Sequence, residues 1–283
     1  MVTKEGIAGV GALSPHCICD LRDDPLFLCA QGVCGLEASP ITTTRYAQMR
    51  SELVNKKLCA EPGLAGAVMV EYDGYMLLAV NGSVYVADGA QRSYRGRSAD
   101  TYQYEWYYWQ NVPARMWFKH AGWLWFGTAD GKIMRFQTGD GAYEGAVDKL
   151  PAEPVYSDDG QPIRARWTTP EIAFDSYSLF KTLRRIYTKV TPYSRTSVRV
   201  YMKVGGGFVE VDYKTADIFD FTFKDIDFTR FTFNTDRDVG VIATKVKAKR
   251  LITTQIRLVN NEDKEPFGVT GLTLYYDLKN KVK

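Results

Sequence analysis

The residues that could do chemistry are few and scattered. Five cysteines, Cys17, Cys19, Cys29, Cys34 and Cys59, fall in the first fifth of the 283-residue chain. Cys17-Ile18-Cys19 with Cys29 or Cys34 could offer thiolates to a metal, but no C-x-x-C pair is present, and the two-residue period of a strand sets Cys17 and Cys19 on one face. Free thiols buried as small hydrophobes are the expectation, with no metal and no cofactor. His16 and His120 stand alone, with no His-x-x-His or His-Glu-x-x-His spacing. No Gly-x-Ser-x-Gly elbow marks a nucleophile. Asp217, Asp220, Asp225 and Asp227 could serve calcium or a carboxylate pair, yet Phe219, Phe221, Phe223, Phe228, Phe231 and Phe233 interleave with them as a half-buried strand requires. Glu105 and Asp130 have no motif around them. No catalytic residue is assigned, and the chain reads as a non-enzyme.

One run invites a binding role. Tyr102-Gln103-Tyr104-Glu105-Trp106-Tyr107-Tyr108-Trp109 is denser in rings than a core strand needs. Alternation places Tyr102, Tyr104, Trp106 and Tyr108 on one face and Tyr107 and Trp109 on the other. Such a face suits packing between sheets, a protein interface or stacking on sugars. The preceding Arg92-Ser93-Tyr94-Arg95-Gly96-Arg97 is a basic loop and no more.

The elements that carry these residues are strands. Aromatics at 13% tilt the composition toward β structure. Three segments repeat one design: Pro25–Leu36, Tyr75–Val86 and Trp123–Phe136 each hold an apolar strand, a turn ending in Gly, and a second alternating strand. The turn glycines Gly32, Gly82 and Gly131 set a period of about 50 residues, and Asn81-Gly82 and Asp130-Gly131 are type I′ hairpin signals. That period predicts propeller-like blades, although three blades do not close a propeller. One helix is expected at 43–58, from the spacing of Tyr46, Met49, Leu53 and Val54, with Arg45, Arg50, Lys56 and Lys57 on its solvated side. Prolines at 151, 154 and 162 make 151–162 a linker between a propeller-like region, 1–150, and a β-sandwich, 163–283. Within the second part Gly205-Gly206-Gly207 reads as a hairpin turn, since no Lys-Ser/Thr follows it. The fold class expected is therefore all-β: incomplete propeller repeats with one inserted helix, then an antiparallel sandwich.

The formal charge of +3 is too mild to imply a nucleic-acid binder, although about 20 Lys/Arg against about 12 Asp/Glu lie beyond Ser176. No apolar run reaches the length of a membrane span, and the first residues lack the pattern of a signal peptide. In this setting the chain resembles tail or head–tail-interface proteins of phages and prophages of gut bacteria. The resemblance rests on Asp73-Gly74-Tyr75 through Asp88, Tyr104-Glu105-Trp106-Tyr107, Phe126–Gly131, Trp167-Thr168-Thr169-Pro170, Lys181-Thr182-Leu183 and Ser197-Val198-Arg199-Val200. It implies a virion structural role, assembly in the host bacterial cytoplasm, and partners that are other copies and other tail proteins, with no membrane and no sequence-specific nucleic acid. The rival expectation is a glycan- or receptor-binding module that uses the 102–109 run on host surface sugars.

Overall fold

The computed structural model describes residues 10–38, 45–94, 102–136, 156–174, 176–191, 195–217 and 240–281. The chain divides into two compact units, Met1–Pro154 and Val155–Lys283. The described residues are almost wholly antiparallel β.

In the first unit β1 (Ile18–Leu21), β2 (Asp24–Cys29), β3 (Gly32–Ala38) and β4 (Arg45–Met49) form one meander in chain order. A single helical turn, α1 (Asn55–Leu58), and a 3-10 turn at Leu64–Gly66 lead to a second meander. It consists of β5 (Val68–Tyr72), β6 (Tyr75–Val80), β7 (Ser83–Tyr94) and β8 (Tyr102–Gln110), and a third holds β9 (Met116–His120), β10 (Trp123–Gly127) and β11 (Ile133–Arg135). The repeated hairpins of the sequence are thus β2–β3, β6–β7 and β10–β11, the same pair in each meander. No barrel or propeller closes among the described residues.

The middle meander is buried on both sides. Met76, Leu78 and Val80 of β6 join Leu26, Leu28 and Val33 of the first meander in one core. Leu77 and Ala79, pointing the other way, join Leu124 and Phe126 of the third in another. This explains why β6 reads as an unbroken apolar run and not as an alternating one. Asn81 (φ 50°) and Gly82 (φ 74°) make the expected type I′ turn. The Asp130-Gly131 turn is different: β10 and β11 are separated by residues 128–132. There the Thr128 Oγ1 accepts the Lys132 N–H at 3.0 Å, so a longer side-chain-closed loop replaces the two-residue turn.

The helix expected over 43–58 is corrected. Residues 45–49 are strand β4, paired with β3 from Ala38↔Arg45 to Cys34↔Met49, and only Asn55–Leu58 is helical. Ladder bonds to β3 outweigh the three-and-four spacing, whose supposed apolar face is left open at Tyr46 (40%) and Leu53 (48%).

The second unit opens with the small hairpin β12 (Ser157–Asp158) and β13 (Gln161–Pro162). It continues with β14 (Ala165–Thr168), β15 (Leu179–Val190), β16 (Arg195–Val204), β17 (Gly207–Asp217), β18 (Val241–Leu251), β19 (Ile256–Asn260) and β20 (Val269–Lys281). These form two antiparallel sheets, in the orders β14-β19-β16-β17 and β18-β15-β20. Leu183, Ile186 and Val190 of β15 share one core with Val198 and Val200 of β16 and Leu258 of β19. The β16–β17 hairpin turns at Gly205 (φ 65°), as its glycine run predicts. No helix among the described residues is long and apolar enough to cross a membrane.

Candidate functional site

The aromatic strand β8 is where the first two meanders are joined by polar chemistry. The face that the first meander turns toward β8 is apolar at Leu26, Leu28 and Val33 and charged beyond them, at Asp24, Glu37 and Arg50. Strand parity creates this division. Gly35 and Glu37 of β3 and Gln48 of β4 share a side, and Arg50, just past β4, continues it.

Arg50 is fully buried and Asp24 nearly so, at 0% and 5% exposure. The Arg50 Nε donates to Asp24 Oδ2 at 3.0 Å, and the two terminal nitrogens donate to Glu37 and Gln48. The same Asp24 oxygen accepts the Tyr102 hydroxyl at 2.6 Å and the Tyr104 hydroxyl at 2.9 Å. The Arg50 guanidinium also lies 3.7 Å from the Tyr102 ring centre. Gly35 makes room for this: a Cβ there would lie 2.5 Å from Asp24 Oδ1. Around the cluster β8 adds further bonds. The Gln103 amide donates to the Met49 carbonyl at 2.7 Å, and the Trp106 indole donates to the Arg50 carbonyl at 3.2 Å.

Burial and the Asp24 carboxylate push both phenols, Tyr102 and Tyr104, above the ordinary tyrosine range; for Tyr104 the neighbouring Tyr102 hydroxyl contributes as well. Burial works against the Arg50 charge, but the bond to Glu37 and the charges of Asp24 and Tyr102 prevail and raise its pKa. The arrangement is a buried ion pair in which Arg50, Tyr102 and Tyr104 all donate to one carboxylate oxygen, so it fixes the geometry between the two meanders.

The six aromatic residues singled out in the sequence therefore divide. Tyr102 and Tyr104 are buried in the cluster, and Trp106 is anchored at its rim. Tyr108 is half-buried, with its ring edge-on to Tyr85 at 5.1 Å, its hydroxyl 2.8 Å from Ser83 Oγ and the Lys57 ammonium over its face. Tyr107 and Trp109 stand on the opposite side, 45% and 40% exposed, with Trp109 5.8 Å from the Phe136 ring. Sequence reasoning placed Arg50 on a solvated helix face and missed it as the centre of this cluster. Its partner Asp24 is 26 residues away, and only strand pairing brings the two together.

The remaining candidates do not converge. All five cysteines are free thiols. Cys17 bonds the Ala67 carbonyl at 2.8 Å on one side of the first meander, while Cys29 and Cys34 meet at 3.6 Å on the other. Desolvation, with Glu71 and Asp20 nearby, pushes the Cys19 thiol up to about 12. Cys59 is exposed. His16 and His120 are both exposed. Among the described residues no group of three or more His, Cys, Asp or Glu is placed to hold a metal. Asp220, Asp225 and Asp227 lie outside the described residues. No family model matches the chain, and no curated protein matches it.

Proposed function

We propose that the chain is a structural component of a phage or prophage virion, at the tail or the head–tail interface, and that it works by assembly and not by catalysis. The observation that carries this reading is the end of the meander stack, which is open among the described residues. The first and second meanders, and the second and third, share cores, while the outer face of the third is apolar and uncovered at Met116 (56%) and Ile133 (68%). Beside them Phe118 and Trp125 stack at 6.0 Å with an interplanar angle of 13°. On this reading the meanders are blades of an incomplete propeller and the second unit is a β-sandwich. A neighbouring copy or another tail protein covers the open blade, and assembly takes place in the host bacterial cytoplasm.

Light scattering coupled to size exclusion tests the proposal. A mass that is a multiple of 32.0 kDa, or one that rises on adding neighbouring tail proteins, and that reverts in Ile133→Asp, is the expected result. A 32.0 kDa species under every condition overturns it. The exposed pair Tyr107 and Trp109 favours one second reading, a module that stacks on host glycans. Retention on immobilised bacterial polysaccharide, lost in Trp109→Ala, would select that reading instead.

A further inference from the structure

The second unit carries a cationic sheet face that the assembly reading leaves unused. β15, β18 and β20 together hold ten Lys or Arg and a single acidic residue, Asp277. Two of these cations are engaged internally. Lys181 is buried against the carbonyls of Ser176 and Ile252, and Arg184 pairs with Asp277 at 2.7 Å. Arg185, Lys189, Lys245, Lys247 and Lys249 face outward for a reason visible in the register. Ile186 and Val190 of β15 and Ile242 and Val246 of β18 point into the core, so the alternate positions point to solvent.

One cross-strand row runs Lys245, Arg185, Tyr275, each directly opposite the next. Lys189 lies farther along β15, and Lys247 and Lys249 follow on β18, all exposed. Among the described residues none of Arg185, Lys189, Lys245, Lys247 and Lys249 has an acidic partner; the Arg185 guanidinium donates only to the Tyr187 hydroxyl, at 3.3 Å. Like charges directly opposite one another destabilise a sheet, so this row gains when an anion neutralises it.

We infer that this face binds single-stranded nucleic acid without regard to sequence. Lysines at every second residue of β18 repeat at about 6.7 Å and can follow the phosphates of an extended strand. The Tyr275 ring, 57% exposed at the end of the cationic row, offers a platform on which a base can stack. An acidic protein would satisfy the charges and leave that ring without a role. A duplex would keep its bases turned inward, away from the ring.

The test is fluorescence anisotropy of a labelled thymidine oligomer with the full chain, from about 50 to about 200 mM salt. Binding is expected, with a log–log salt slope of about −2 to −3.5 for three to five phosphate contacts. The triple variant Lys245→Gln/Lys247→Gln/Lys249→Gln should bind at least about tenfold more weakly, with a slope closer to zero by about 2. Arginine at the same three positions should restore both. Tyr275→Ala should weaken binding about five- to a hundredfold and leave the slope unchanged. Circular dichroism melts confirm that each variant is folded. The proposal falls if the oligomer does not bind at the lowest salt, or if the triple variant binds as the parent does. It falls equally if poly-glutamate or a duplex binds as tightly, which would assign the face to an acidic protein or to duplex backbone.

Discussion

At the scale of single residues, the dominant feature is a carboxylate shared by three donors. Asp24 Oδ2 receives Arg50, Tyr102 and Tyr104 at 2.6 to 3.0 Å. A buried pair of this kind contributes little net stability when whole, yet losing one partner strands the other charge. Arg50→Ala leaves Asp24 and Glu37 without their cation and should lower unfolding stability by about 3–5 kcal/mol in urea titrations. Adding Asp24→Asn to that variant should recover part of the loss, because the two effects are coupled through one contact. The phenols predict a pH dependence with a definite sign. Both are raised in the folded state, so their contribution is full below about pH 10, where a free tyrosine titrates, and is lost as the pH climbs beyond it. Tyr104→Phe should cost about 1.5–3 kcal/mol at neutral pH through the lost bond to a charged group. It should also flatten the alkaline decline measured by urea midpoints from pH 8 to 11. Equal declines in parent and variant would place the alkaline loss elsewhere.

Among the elements, the hairpins are the part most legible in the sequence, because turn chemistry is local. Asn81-Gly82 dictates its own backbone, and the period of Gly32, Gly82 and Gly131 recurs as the hairpin between the second and third strands of each meander. The cost of disturbing such a turn is conformational and not steric. Gly82 sits at φ 74°, and no atom lies within 4 Å of where a methyl group would stand, so Gly82→Ala should cost about 1–2 kcal/mol by thermal melting without altering any contact. Strand β4 was illegible for the opposite reason. Its spacing suits a helix, and only pairing with β3 and the pull of Asp24 on Arg50 settle its conformation. The alternation within β8 could be read from the sequence, but which of its two faces is covered depends on a meander more than 50 residues earlier. For β18, alternation shows which lysines face outward, whereas their assembly with Arg185 and Tyr275 into one row depends on pairing with β15 and β20.

For the molecule as a whole, two units with separate cores imply that unfolding need not be a single transition. Tryptophan offers a way to see this, since Trp167 alone of the six lies in the second unit. Leu183 is fully buried in the second core, and Leu183→Ala should destabilise that unit by about 2–5 kcal/mol. The expected signature is a shifted calorimetric transition with the main fluorescence transition left in place. Joint movement of the two would show that the units unfold together. The double burial of the middle meander has one more consequence. In most sheets a slip of one residue is forbidden because it would turn apolar side chains out to water. β6 is apolar on both sides, so a slipped strand would exchange the linings of two cores while exposing almost nothing. Solvent cannot proofread its alignment. That task falls to the left-handed pairs at its two ends, Asp73-Gly74 and Asn81-Gly82, whose tight turns hold the strand in phase with both of its neighbours.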